Sequence, residues 1–363
     1  MVDNSAQNQE DTLLVVDDEP PRVDLPRERV RRSTAKDLVV LCACMSIVVF
    51  LANMAAMFFV DNNPPNKGYA VVKSKWKLLD GIEKPLDWLV LGDSSCLAAV
   101  DPAVWTEATG ESVLNLCTLG DLLLLDDVWL LKDYLSQHGA PQGVVVMHAY
   151  DMWYREVGDG ALSLFGQIER PWGIWDRAKP KVELNASDRL KVFLARFVPL
   201  LSQAKSIRDA LVPSPASLRD RKGSIAPQFN ISDSGFMPGP ARPINVLKDT
   251  QGHKQFVREN KPIVSSPNQK ALSELVSLAE EFGFPVKVVM SPLHDELKHD
   301  EAFRAYFEGT LKELNAYADK TQHLKFVSKV ETYPASAMQN SDNLGRAKVS
   351  DFTRKLVRDV VMD

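Results

Sequence analysis

Residues Gly92-Asp93-Ser94 follow directly on the apolar run Trp88-Leu89-Val90-Leu91, which places a hydroxyl at the carboxyl end of an expected buried strand. A serine hydroxyl is a poor nucleophile until a base takes its proton, and its attack on a carbonyl needs donors that stabilise the developing oxyanion. Gly92 permits a sharp exit from the strand, and Ser94 then sits near the amino terminus of the following helix, where unpaired backbone amides collect. The chemistry in view is acyl transfer through Ser94. A Gly-Asp-Ser tripeptide by itself is more often just a turn, so the elements around it carry the weight.

Apolar runs of strand length recur at residues 88–91, 113–116, 143–147, 286–290 and 324–327, and amphipathic stretches separate most of them. Such alternation predicts an α/β fold, a mostly parallel sheet with helices on both faces, that is, a three-layer sandwich. Helices are expected at 102–108 with Gly110 as its stop, from an Asp121 cap through 135, and at 267–282, 301–320 and 345–361. Residues 151–262 break the rhythm. That stretch is rich in Trp, Pro, Ser and Gly, with one helix expected at 188–210, and reads as a long insertion of irregular structure that covers a site at the strand ends.

In that context the Gly-Asp-Ser segment resembles the first block of the SGNH (GDSL-type) hydrolase superfamily, and residues 85–363 are compatible with such a domain. The resemblance implies a flavodoxin-like sheet, Ser94 as nucleophile, and a glycine amide of the oxyanion hole after the second strand, where Gly120 stands in Asn115-Leu116-Cys117-Thr118-Leu119-Gly120-Asp121. It also implies an asparagine after the third strand, but the chain reads Met147-His148-Ala149-Tyr150-Asp151. Before the last helix it implies an aspartate and a histidine, and the chain reads Asn340-Ser341-Asp342-Asn343-Leu344. Asp342 supplies an acid there. Asn343 stands where the histidine belongs and has no useful basicity. His148 after the third strand and His294 after the fourth are the candidate replacement bases, against the reading of each as a satisfied loop or pocket-lining histidine; His138, His253, His299 and His323 read as surface residues. Tyr150, Trp153 and Tyr154, with Trp172 and Trp175, would line a sugar-binding groove or form a small hydrophobic core of the insertion. Arg155 and Arg170 are expected to pair with neighbouring carboxylates. Asn185 and Asn230 head glycosylation sequons, which matter only in a secretory pathway.

Residues 38–60 carry no charge, the length a helix needs to cross a bilayer, so 37–60 is expected to be a transmembrane anchor. Arg27, Arg29, Arg31, Arg32 and Lys36 precede it and Lys67 alone falls in the ten residues after it, which predicts a cytoplasmic amino terminus and an extracytoplasmic body, periplasmic in a Gram-negative cell. Residues 1–36 read as a disordered cytoplasmic tail and 61–84 as a spacer and stalk. The net charge of −5 supplies no basic field for nucleic acid. No cofactor or metal motif is present, and Cys96 and Cys117 read as two buried thiols unless an oxidising compartment pairs them.

Anchored SGNH-like proteins that assist acyl transfer to envelope polymers share this layout, so the resemblance implies an esterase or O-acyltransferase acting on cell-envelope carbohydrate. Its partners would be the bilayer, an acyl-donor membrane protein and a cell-envelope polysaccharide. The alternative is a catalytically inactive scaffold that binds glycan or a membrane partner. A signalling sensor is disfavoured by the short amino-terminal tail, which has no room for an output domain.

Overall fold

The computed structural model describes residues 27–62, 67–167, 184–202, 204, 207–208 and 231–362. Most of the expected tail, together with Arg170, Trp172, Trp175 and Asn230, lies outside them. All five expected strands form. They are β1 (Trp88–Gly92), β2 (Val113–Asn115), β3 (Gly143–His148), β4 (Val286–Met290) and β6 (Leu324–Val327), joined in one parallel sheet of order β2-β1-β3-β4-β6. β5 (Leu293–His294) and β7 (Thr332–Tyr333) form a second, two-stranded parallel pair. Within the main sheet the strand order reverses direction between β1 and β3, and in open α/β sheets that switch point, at the carboxyl ends, is where ligands bind.

The described helices are α1 (Arg27–Asn62), α2 (Lys67–Asp80), α3 (Ser94–Ala99), α4 (Pro102–Thr109), α5 (Leu123–His138), α6 (Asp159–Gln167), α7 (Ala186–Phe197), α8 (Pro199–Ser202), α9 (Pro243–Glu259), α10 (Ser266–Phe282), α11 (Asp295–Lys298), α12 (Glu301–Ala318) and α13 (Arg346–Val357). Alternation along β1 and β3 divides the interior. Leu89, Leu91, Val144 and Val146 pack with α5 and α10, whereas Trp88, Val90, Val145 and Met147 pack with α3, α4 and α13. Near-continuous burial of both strands follows from this two-sided cover.

Local chemistry sets the helix ends. Asp101 accepts a hydrogen bond from the Ala103 amide, Pro102 occupies the first turn, and Gly110 closes α4 in the left-handed region. Asp121 is not the cap expected: Gly120–Leu122 makes one 3-10 turn and α5 begins at Leu123. The single helix expected at 188–210 is broken by Pro199, whose missing amide proton cannot continue α7. Among the described residues, the insertion also holds α6 and α9.

α2 is docked on the body and is not a free stalk. Val71, Val72, Trp76 and Leu79 are buried, and so is the Lys75 amine, which donates to the Asn115 backbone and side-chain oxygens and to the Gly235 carbonyl. Burial lowers the Lys75 pKa well below its ordinary value. That amine ties α2 to the edge strand β2, whose outer side is covered by the Asn115 amide bonding to the Ser234 carbonyl.

Within α1, Thr34–Phe59 is long and apolar enough to cross a membrane. The chain divides after Leu51, and residues from Ala52 onward belong to the unit that holds the sheet.

Cys96 and Cys117 are disulfide-bonded, not two free thiols as the sequence reading favoured. The bond closes a separation of 21 residues and joins α3, which carries Ser94, to the segment leading to Gly120. Replacing both cysteines by serine is expected to lower unfolding free energy by about 3 kcal/mol. Urea denaturation of the full chain in detergent measures this, and an unchanged midpoint would contradict the bracing role.

Candidate active site

Gly92 ends β1 at a φ of 144°, and a Cβ there would lie 1.9 Å from the Met147 carbonyl oxygen, so only glycine lets β1 and β3 approach this closely before the turn. Asp93 then caps α3. One of its oxygens accepts from the Ser95 amide at 2.9 Å and the Ser95 hydroxyl at 2.5 Å, and the other from the Ala149 amide at 2.8 Å. The turn that presents Ser94 is thereby bound to the end of β3.

Beneath it lies His148, 1% exposed. Its Nε2 is 2.5 Å from Asp127 of α5 and its Nδ1 is 3.5 Å from Asp93. Burial alone would lower the imidazole pKa, but Asp127 and Asp93 outweigh it and raise the value to about 9, while burial raises Asp127 in turn. Burial likewise opposes ionisation of Asp93, yet His148, Ser95 and the Ala149 amide bring it down to about 2. His148 was a candidate base. The structure gives it another place, between two carboxylates and away from the cleft lining.

The cleft itself, about 350 Å³, opens at the switch point and is lined by Ser94, Asp151, Arg155, Asp249, Gly252, His253, Phe256, Asn340 and Asp342. Ser94 is half-buried, and its hydroxyl has no hydrogen-bond partner among the described residues. Gly120 adjoins it, since a Cβ there would lie 3.7 Å from the Asp93 Cβ and 2.9 Å from the Arg155 guanidinium. Arg155 pairs with Asp151 at 2.6 Å, as expected of a neighbouring carboxylate.

The wall facing Ser94 comes from α9. Asp249, Gly252, His253 and Phe256 recur at i, i+3, i+4 and i+7 and form one helix face on the cleft, while Val246, Thr250 and Val257 are buried behind them. His253 is therefore not the surface residue the sequence reading made it. Its side chain is 13% exposed, with Nδ1 2.6 Å from the Tyr150 hydroxyl and Nε2 3.5 Å from Asp249. Burial pulls its pKa down, but the Asp249 hydrogen bond and the charges of Asp342, Asp151 and Asp249 raise it on balance. Asp249 is held well below the usual carboxylate range by His253 and by the Ser341 hydroxyl and amide, which also fasten α9 to the loop before α13.

Asp342 reaches the cleft, and burial together with Asp151, Asp93 and Asp249 pushes it to about 7 against the pull of His253. Asn343 does not line it. Its amide donates to Asn340 Oδ1 at 2.6 Å, and its own Oδ1 is buried without a partner. His294 is also absent from the lining: it is buried, with Nδ1 2.9 Å from the Thr250 hydroxyl and Nε2 3.3 Å from Asp295, and supports α9 from behind. Of the aromatic cluster, Trp172 and Trp175 lie outside the described residues, Tyr154 is half-buried, and Tyr150 and Trp153 are buried. Tyr150 is buried among Phe256, Phe303 and Tyr306, Trp153 is 0% exposed and packs on His148, and Tyr154 rests on Phe256. Among the described residues no group of His, Cys, Asp and Glu is arranged to hold a metal ion.

The chain matches no protein-family model, and no curated protein matches it.

His148 has a folded pKa of about 9 against 6.5 for the free group, so its contribution to stability is full below about pH 6.5 and is lost as pH rises through 9. Thermal midpoints are expected to fall over that window. His148→Gln should flatten this limb and cost about 3–5 kcal/mol at pH 6 by leaving two buried carboxylates without their cation. A limb unchanged in the variant would assign it elsewhere.

Proposed function

We propose that this chain is a membrane-anchored, SGNH-like acyl-transfer enzyme whose body, a three-layer α/β sandwich, faces out of the cytoplasm and acts on cell-envelope carbohydrate. The observation that carries the reading is that Ser94, with an uncommitted hydroxyl, and His253 line the same cleft at the switch point of a doubly wound sheet. Ser94 Oγ attacks the acyl carbonyl, and its proton passes to His253 directly or through one water. In this reading the Ser94 and Gly120 amides stabilise the oxyanion, and Asp249 and Asp342 hold the imidazolium that forms. Returning that proton to the leaving oxygen gives an acyl-serine, which a carbohydrate hydroxyl or water resolves.

Three carboxylates in the cleft, against one guanidinium and one imidazole, suit a neutral, hydroxyl-rich acceptor and disfavour an anionic one. The buried aromatics lend no support to sugar stacking. The Cys96–Cys117 disulfide supports an oxidising location for the body, in line with the basic flank before the apolar helix.

One observation favours the non-catalytic scaffold instead. Both ring nitrogens of His253 already face partners, Tyr150 and Asp249, and no hydrogen bond joins His253 to Ser94. Turnover separates the two readings. With p-nitrophenyl acetate and the full chain in detergent, Ser94→Ala is expected to abolish hydrolysis and His253→Gln to lower it by roughly 10²–10⁴-fold. Because a base must be unprotonated and the His253 pKa is raised, the rate should climb with pH through a midpoint above 6.5. Asn343→His, outside the cleft, should bring no gain. No turnover from the native chain would leave the scaffold, and turnover that survives Ser94→Ala would overturn Ser94 as the nucleophile.

A further inference from the structure

α7 is amphipathic in two directions. Val192, Ala195 and, at the start of α8, Pro199 are buried toward the body, where α6 runs alongside. Leu190 and Phe193 on α7 and Leu201 on α8 are 56%, 52% and 64% exposed, large apolar side chains close together in sequence. An exposed apolar stripe of this kind marks an interaction surface, and the α7–α8 junction identifies what covers it.

At the break around Val198 the Phe197 carbonyl ends α7 and the Leu200 amide begins α8. Both are taken up by one side chain from α1. Asn53 donates its Nδ2 to the Phe197 oxygen, and its Oδ1 lies 3.4 Å from the Leu200 nitrogen. Asn53 is the one strongly polar residue within the charge-free run, and a polar side chain at such a position is costly in lipid unless it is paired. A helix break whose backbone groups are bonded by a protein side chain suits a surface without water. Depth follows from the chain. Asn53 precedes Phe59, the last residue of the apolar stretch, by six residues, which at about 1.5 Å each places the junction roughly 9 Å inside that end. Interfacial helices bury their apolar faces by about 5–10 Å.

We propose that Leu190, Phe193 and Leu201 are immersed in the bilayer interface beside α1, giving the body a second, monotopic attachment to the membrane. The inference rests on reading the apolar part of α1 as a span.

Environment-sensitive fluorophores report the placement directly. In a background with Cys42 and Cys44 changed to Ala and the disulfide kept, single labels are introduced by Ile47→Cys, Phe193→Cys, Leu201→Cys and Glu301→Cys. The full chain is reconstituted in phosphatidylcholine–phosphatidylglycerol vesicles containing acyl-chain nitroxide lipid. Labels at 47, 193 and 201 are expected to be quenched several-fold more by the lipid nitroxide than the label at 301, and to be shielded from aqueous iodide. If position 47 is lipid-quenched while 193 or 201 behaves as 301 does, the immersed face is wrong and the span stands. If position 47 also behaves as 301 does, the span itself fails and the inference falls with it.

Discussion

His148 stands at the carboxyl end of β3 with Asp127 of α5 at 2.5 Å on one nitrogen and Asp93 of the β1 turn at 3.5 Å on the other side, and three elements of the fold meet on that ring. The geometry of the cleft depends on this cluster. Asp93 holds the Ser95 and Ala149 amides while it faces the imidazole, which binds the turn bearing Ser94 to the end of β3. Buried ion groups of this kind add little net stability, because desolvating the charges offsets their attraction. Their value here is positional: the charges are aligned under the nucleophile, and a mispositioned turn would leave them unpaired. The disulfide acts on the same turn from the other side, and Gly92 permits the close approach without which neither would reach.

The facing wall is built by different means. α9 is the element that forms it. It seats Val246, Thr250 and Val257 on the body, bonds Thr250 to His294, and fixes the loop before α13 through Asp249 and Ser341. His294 and the 340–343 loop therefore matter to the site through α9. The cleft is held on one side by buried charge and on the other by helix packing and a carboxylate clasp.

Much of the sheet was legible in the sequence because a doubly covered parallel strand must be apolar along its length, and residues 88–91 and 143–147 are. Ser94 was legible for the same reason, as a small polar cluster that ends such a run. His253 was not. Its helix buries only Val246, Thr250 and Val257, exposes Ile244 and Leu247, and carries Gly252 at its middle, so the apolar period that marks a helix is faint. A signal was present in Arg242-Pro243, a proline at a helix start, followed by Asp249 and His253 four residues apart. His148 misled for the opposite reason. Its position after a strand was read correctly, but the carboxylates that enclose it come from α5 and from the β1 turn, 21 and 55 residues away in sequence, a distance that no local pattern spans. The disulfide and the docking of α2 through Lys75 are likewise long-range facts.

The most direct measurement of the central claim, that Ser94 and His253 act together across the cleft, is the mass of the full chain after exposure to a fluorophosphonate. One covalent adduct is expected, mapped to the peptide containing Ser94, whose formation slows by orders of magnitude in His253→Gln and is unchanged in His294→Gln provided α9 stays folded. An adduct that forms at the native rate without His253, or at a serine other than Ser94, would contradict it.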